Sequence, residues 1–177
     1  TLNKLNQDIV NTIRASGGNN THRVIMVPSL AASPDAALSK DFRIPTDTVE
    51  NRLAISVHMY TPYNFAMASP GDIKFTEAHQ KELSTIFRKL YNKFVSAGTP
   101  VVIGEMGATN KNNLQDRINW FNFFITEARK NSIYTCCLWD NGVWEINEND
   151  PKDKIYSEHY GYYNRTKQTW YFPELIK

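Results

Sequence analysis

The chain has few of the residues that would announce a covalent or metal-bound framework. Only two cysteines occur among its 177 residues, and they are neighbours, Cys136 and Cys137. Adjacent side chains in an extended run project to opposite faces, so a disulfide between them requires strained geometry, and two thiols are too few for a metal site. Both are expected as buried packing, and their number says little about compartment. The four histidines, His22, His58, His79 and His159, have no metal-ligand spacing. No stretch approaches the roughly 18 apolar residues of a membrane span, so no membrane partner is expected. Basic and acidic residues nearly balance, 20 against 18 for a formal net charge of +2, and no Lys/Arg stripe forms, which argues against nucleic acid. No Gly-rich phosphate turn follows any apolar run. The opening Thr1-Leu2-Asn3-Lys4 is not a signal peptide.

What remains is an aromatic-rich chain, with nine Tyr, nine Phe and four Trp, in which strand and helix patterns alternate. The spacing predicts a helix over Leu5–Ala15, with Leu5, Ile9 and Ile13 on one stripe and Gly17-Gly18 as its stop. A strand follows over Arg23–Pro28, then a long polar, proline-bearing working loop from Ser29 to Asn51 with at most a weak helix. The strand Leu53–Tyr60 has two faces: Ile55, Val57 and Met59 pack, while Ala54, Ser56, His58 and Tyr60 lie opposite. A helix over Thr76–Ala97 buries Leu83, Ile86, Phe87, Leu90, Tyr91 and Phe94, and one over Leu114–Lys130 buries Leu114, Ile118, Phe121, Ile125 and Ala128. The last strand, Ile133–Trp139, places Thr135, Cys137 and Trp139 on one side, and a terminal helical segment ends in Trp170-Tyr171-Phe172-Pro173. Four strands separated by helices imply one α/β unit with a parallel sheet, matching half of a (β/α)8 TIM barrel; a doubly wound open sheet is the competing architecture.

The chemistry lies at the strands' carboxyl ends. In Val101-Val102-Ile103-Gly104-Glu105-Met106-Gly107, alternation puts Val101, Ile103 and Glu105 on one face, with Val102 and Gly104 on the other. A carboxylate that continues an apolar face is costly unless something uses its charge; the plain alternative is that Glu105 leaves the sheet and meets water. Successive strand ends offer His58 with Tyr60, then Glu105, then Trp139. Retaining glycoside hydrolysis uses one carboxylate as nucleophile and a second, about 5 Å away, as acid and then base. Glu105 fits the nucleophile, Tyr60 a donor to it, His58 a partner of the carboxylate or of a sugar hydroxyl, and Trp139 an indole face for a pyranose.

The segments His58-Met59-Tyr60-Thr61-Pro62-Tyr63-Asn64-Phe65, Ile103-Gly104-Glu105-Met106-Gly107 and Leu138-Trp139-Asp140-Asn141-Gly142 resemble glycoside hydrolase family 5. They look closest to its subfamily of endo-β-1,4-glucanases and xyloglucanases, as do Leu5-Asn6-Gln7-Asp8, Arg14-Ala15-Ser16-Gly17-Gly18-Asn19-Asn20 and the closing Trp170-Tyr171-Phe172-Pro173. The resemblance implies a TIM-barrel enzyme that cuts β-1,4-glucans with retention and without cofactor. In it Glu105 matches the nucleophile, His58 and Tyr60 the pair on the sixth strand, and Trp139 the platform on the eighth. Asn64, Asn141 and Trp144, on the loops after those strands, are expected to bind sugars flanking the cut.

One departure is plain. The Asn-Glu pair that such enzymes carry on the fourth strand, whose Glu is the acid/base, has no counterpart before the first helix; Asn147-Glu148 follows the last strand, and Glu145 and Glu148 are poor substitutes on a polar loop. The expectation is therefore that the chain is the C-terminal half of the enzyme, strands five to eight over residues 1–177, inactive alone. It would be partnered by the complementary N-terminal half or by a second copy. Alternatives are a carbohydrate-binding half barrel without catalysis, a family-5 mannanase or xylanase, or a small-molecule enzyme of another barrel class. A polymeric substrate implies secretion to the extracellular space.

Overall fold

In the computed structural model, which describes residues 1–147, 149–150 and 158–176, four apolar runs pair side by side as strands. They are β1 (Ile25–Pro28), β2 (Leu53–Met59), β3 (Val101–Met106) and β4 (Thr135–Leu138), all parallel and in the order β1-β2-β3-β4. Parallel neighbours need long crossovers, and helices supply them. The chain starts with α1 (Leu2–Ala15); α2 (Pro34–Leu38) lies between β1 and β2; α3 (Tyr63–Ala66) and α4 (Glu77–Lys93) between β2 and β3; α5 (Leu114–Lys130) between β3 and β4.

Ile55, Val57 and Met59 of β2 and Ile103 of β3 are sealed against Leu83, Phe87 and Leu90 of α4 and Trp120 and Phe124 of α5. Edge-to-face rings join the two helices, Phe87 to Phe124 at 5.0 Å between centroids. The opposite face is uncovered among the described residues: Met26 is 55% exposed and Thr135 and Cys137 are open. A doubly wound sheet carries helices on both faces, so that alternative does not describe this sheet.

Several helix faces differ from their sequence-based expectation. On α1 the buried residues are Asn6 and Val10, whereas Leu5 and Ile9 face solvent. Polar anchors set this rotation: Asn6 Nδ2 donates to Pro28 O at 3.0 Å, and Arg14 forks onto Asp47 through Nε–Oδ1 at 2.8 Å and Nη2–Oδ2 at 2.6 Å. On α5 the buried face runs through Arg117, Trp120, Phe121, Phe124, Glu127 and Ala128, so Leu114, Ile118 and Ile125 are less buried than their spacing suggests. Trp120 and Phe124 bring more apolar surface than the aliphatic stripe, and Trp120 Nε1 finds Thr61 O at 2.9 Å. On α4, Leu83, Phe87 and Leu90 are buried as expected while Tyr91 is exposed; the α-helix stops at Lys93, and a 3₁₀ turn takes Val95–Ala97.

Of three further expectations, two change. One is a refinement: the working loop after β1 contains a single short helix, α2, in keeping with at most a weak helix there, and its Ser33 Oγ accepts from Ala36 N at 3.4 Å with Pro34 in the first turn. Cys137 is exposed and only Cys136 is half-buried, because the two alternate across β4 and only one side of the sheet is covered. The closing segment is not helical. It forms the antiparallel hairpin β5 (Tyr163–Asn164) and β6 (Thr169–Trp170), then a 3₁₀ turn over Pro173–Leu175. Asn164 Oδ1 accepts from Thr166 N at 3.1 Å and Lys167 N at 2.9 Å, a local side-chain turn that competes with helix formation.

Candidate active site

β2 and β3 run in step from Ile55 opposite Val101 to Val57 opposite Ile103, and then the register shifts so that His58 faces Glu105. Strict alternation had placed Glu105 with Val101 and Ile103. The shift overturns that: Gly104 and Glu105 both fall on the half-open face, and Met106 returns to the core. The glycine makes the approach possible, because a Cβ at Gly104 would lie 3.1 Å from Ser56 Oγ and 3.4 Å from the His58 ring.

With Glu105 on that face, two neighbours converge on one carboxylate oxygen. Tyr60 Oη donates to Glu105 Oε2 at 2.8 Å, and His58 Nδ1 lies 3.3 Å from the same atom. Burial, and after it the bond to Glu105, holds the Tyr60 phenol far above its ordinary pKa, so it remains a donor at any working pH. Tyr160 packs edge-on against Tyr60, with centroids 5.6 Å apart, and its own hydroxyl donates to Ala66 O at 2.8 Å. Burial raises its pKa as well, followed by smaller contributions from Tyr162 and other nearby acidic groups. Both rings therefore stay neutral beside the carboxylate. Tyr160 was not singled out from sequence; its place in a loop far along the chain carries no local signal.

Trp139 continues the open side of β4, its backbone N–H donating to Met106 O at 2.9 Å and its indole 41% exposed. Asp140 organises the loop that follows. Its Oδ1 accepts from Gly142 N at 2.8 Å and Tyr162 N at 3.4 Å, and its Oδ2 accepts from Tyr163 N at 3.2 Å. The Asn141 amide is engaged within that loop, donating to Glu158 O at 2.7 Å and accepting from Val143 N at 3.0 Å. Trp144 stacks on Tyr171, centroids 4.8 Å apart at 19°, so one indole face is already covered. Asn64 is exposed on α3, bordering a groove with Pro62, Tyr63, Asp72, His79 and Glu82. Thus the structure brings His58, Tyr60 and Glu105 into contact, while the described contacts of Asn64, Asn141 and Trp144 are with their own loops, with the closing segment and, for Asn64 O and Trp144 O, with Lys111 Nζ and Asn110 Nδ2 of the loop after β3. Glu145 is exposed on the loop after β4, and Glu148 lies outside the described residues. Among the described residues no group of three or more His, Cys, Asp or Glu side chains is arranged to hold a metal ion.

Arranged this way, the site offers an oriented carboxylate at the carboxyl end of a parallel strand, a protonated phenol, an imidazole and an open indole. The family model for cellulase (glycosyl hydrolase family 5) matches residues 1–144. Endoglucanase B of Clostridium cellulovorans is 38% identical over 180 residues, covering 99% of this chain and 38% of that protein. Among solved structures, a mutant glycoside hydrolase 5 lichenase from Caldicellulosiruptor sp. F32 in complex with cellotetraose superposes with a TM-score of 0.89 at 41% identity, covering 99% of this chain and 47% of that one. A GH5-4 broad specificity endoglucanase from Ruminococcus champanellensis with bound cellotriose gives 0.87 at 39% identity, covering 99% and 48%. The chain therefore spans about half the length of these solved relatives, and less of the curated one.

Proposed function

This chain belongs to glycosyl hydrolase family 5, and from that premise we propose that it carries the nucleophile side of a retaining endo-β-1,4-glucanase acting on β-glucan chains. The observation that supports this most directly is the convergence of Tyr60 and His58 on one oxygen of Glu105 at matching strand ends. In the proposed reaction Glu105 attacks the anomeric carbon and forms a glycosyl ester, while a second carboxyl group protonates the departing sugar oxygen. That second group then deprotonates a water, which hydrolyses the ester and frees Glu105. The Tyr60 hydroxyl holds Oε2 in place, and its bond must lengthen as charge leaves the carboxylate and re-form as it returns. Trp139 presents its exposed indole to a pyranose ring. Asn64, Asn141 and Trp144 are proposed to contact flanking sugars, with the last two placed by the loop that Asp140 holds.

The strands β1 to β4 are proposed to be strands five to eight of a (β/α)8 barrel, with the acid/base carried by a complementary N-terminal half. The uncovered sheet face and the exposed Leu5 and Ile9 on α1 support that reading, and so does the twofold greater length of the solved relatives. The endoglucanase and lichenase names of the relatives favour β-glucan over mannan or xylan. Xyloglucan belongs to the same proposal, as does secretion, since a polymeric substrate must be met outside the cell. The test is a trapped intermediate: full-length protein incubated with a 2-fluoro cellobioside bearing a good leaving group, then digested for peptide mass analysis. A glycosyl adduct on Glu105 is the expected result. Binding of cello-oligosaccharide without any adduct would favour a non-catalytic carbohydrate-binding role instead.

A further inference from the structure

One half-buried cation takes no part in the chemistry above. Lys111, on the loop after β3, points its ammonium under the loop after β2, where Nζ donates to Phe65 O at 2.7 Å, Asn64 O at 3.0 Å and Asp72 O at 3.3 Å. Three carbonyls satisfy the three N–H donors of an ammonium. Two of those carbonyls belong to α3, a single helical turn whose carboxyl end is where a cation is favoured. The neighbouring carbonyl, Ala66 O, accepts from Thr109 N at 2.9 Å and Tyr160 Oη at 2.8 Å. The far side of the loop is drawn to the same point, because Asp72 N donates to Asn64 O at 2.9 Å. Lys111 Nζ also stands 5.9 Å from the Phe65 ring centroid.

Burial lowers the Lys111 pKa to about 8, opposed only by the Asp72 charge. The other titratable groups bordering the groove on this side are Tyr63, His79, which is paired to Asp72 Oδ2 at 3.1 Å, and Glu82 on α4. A charge drawn partly out of water costs free energy unless its donors are met, and here three carbonyls of one loop meet them and are tied together by it.

The use of this tie lies in what α3 displays. The turn begins three residues after Tyr60, and Tyr63, 62% exposed, is near enough to Tyr160 to contribute to its raised pKa. We infer that Lys111 is a positioning residue: by tying down the last carbonyls of α3 it sets where Tyr63 and Asn64 stand at the rim of the Glu105 cluster, and so sets affinity for the incoming chain. This inference rests on the glucanase reading, since it assigns the rim to that substrate.

The test compares Lys111→Met, which keeps the stem and removes the donors, with Lys111→Arg, which keeps the charge, in the full-length protein. Two readouts are taken: KM and kcat on a polymeric β-glucan, and amide hydrogen exchange over residues 61–73. Lys111→Met is expected to raise KM about five- to tenfold with kcat within about twofold, and to speed exchange across that loop about tenfold. Lys111→Arg is expected to recover most of both. Faster exchange with KM unchanged, or a fall in kcat with KM constant, would overturn the positioning role, as would unaltered exchange. If the unsubstituted protein cleaves no glucan, the glucanase reading itself fails, whereas the exchange arm still reports on the clasp.

Discussion

Along β2, Ile55, Val57 and Met59 point into a layer of aromatic helices and are sealed from solvent, whereas Ser56 and His58, one residue away on either side, stand half-open on the other face. The two faces share a backbone and differ in everything else. On the sealed side the contacts are mainly between apolar and aromatic groups, and Phe87, Phe124 and Trp120 interlock at centroid separations of 4.9–5.0 Å. On the open side the residues are small or polar and the contacts are directional, as between Tyr60 and Glu105. The packed aromatic layer lies on one face and the groups proposed to react on the other, so substitutions should separate cleanly.

The largest effect is expected at the open face. Glu105→Gln in the full-length protein should lower glucan hydrolysis by on the order of 10³-fold or more while thermal unfolding stays within about 2 °C. Normal turnover would break the contrast at its strongest point. On the sealed face the pattern reverses: Phe124→Ala removes a fully buried ring and should cost about 3–5 kcal/mol, lowering the melting temperature by roughly 10 °C in calorimetry, with kcat per folded molecule nearly unchanged. Tyr60→Phe is subtler, because the ring keeps its packing on Tyr160 and loses only the bond to Oε2. We expect kcat to drop about 10- to 100-fold for a stability change of about 1 kcal/mol or less. The smallest effect sharpens the comparison. Met26 is 55% exposed on the open face of β1, yet if a complementary half covers it, Met26→Gln should cost about 1–2 kcal/mol in full-length protein. A change under about 0.5 kcal/mol in chemical denaturation would mean that the face stays open.

Much of the fold is legible in residue types. The β-branched runs at 25–28, 53–59 and 101–106 become strands because they are short, apolar and bounded by turn residues, and α4 buries Leu83, Phe87 and Leu90 as their spacing implies. The grouping of His58, Tyr60 and Glu105 was readable because each closes a strand. What escaped reading depends on partners distant in the chain. The rotation of α1 is set by Asn6 reaching Pro28 and Arg14 reaching Asp47, and that of α5 by Trp120 reaching Thr61. The closing hairpin is set by Asn164, whose competing side-chain bonds an aromatic run conceals. Tyr160 reaches Tyr60, and Lys111 the carbonyls at the end of α3, from loops whose local sequence is ordinary.

Periodicity, turn chemistry and the choice of functional groups are local properties, and the amino-acid order alone determined them: a parallel α/β sheet with a carboxylate, a phenol, an imidazole and an indole at successive strand ends. Which way those groups face is a matter of hydrogen-bond register and of which surface a neighbour covers. A slip of one residue beside Gly104 turns Glu105 from the core side to the open side, and alternation within one strand cannot reveal it, because the slip exists only between two strands. Tertiary structure decided that step, and with it the contact between Tyr60 and Glu105.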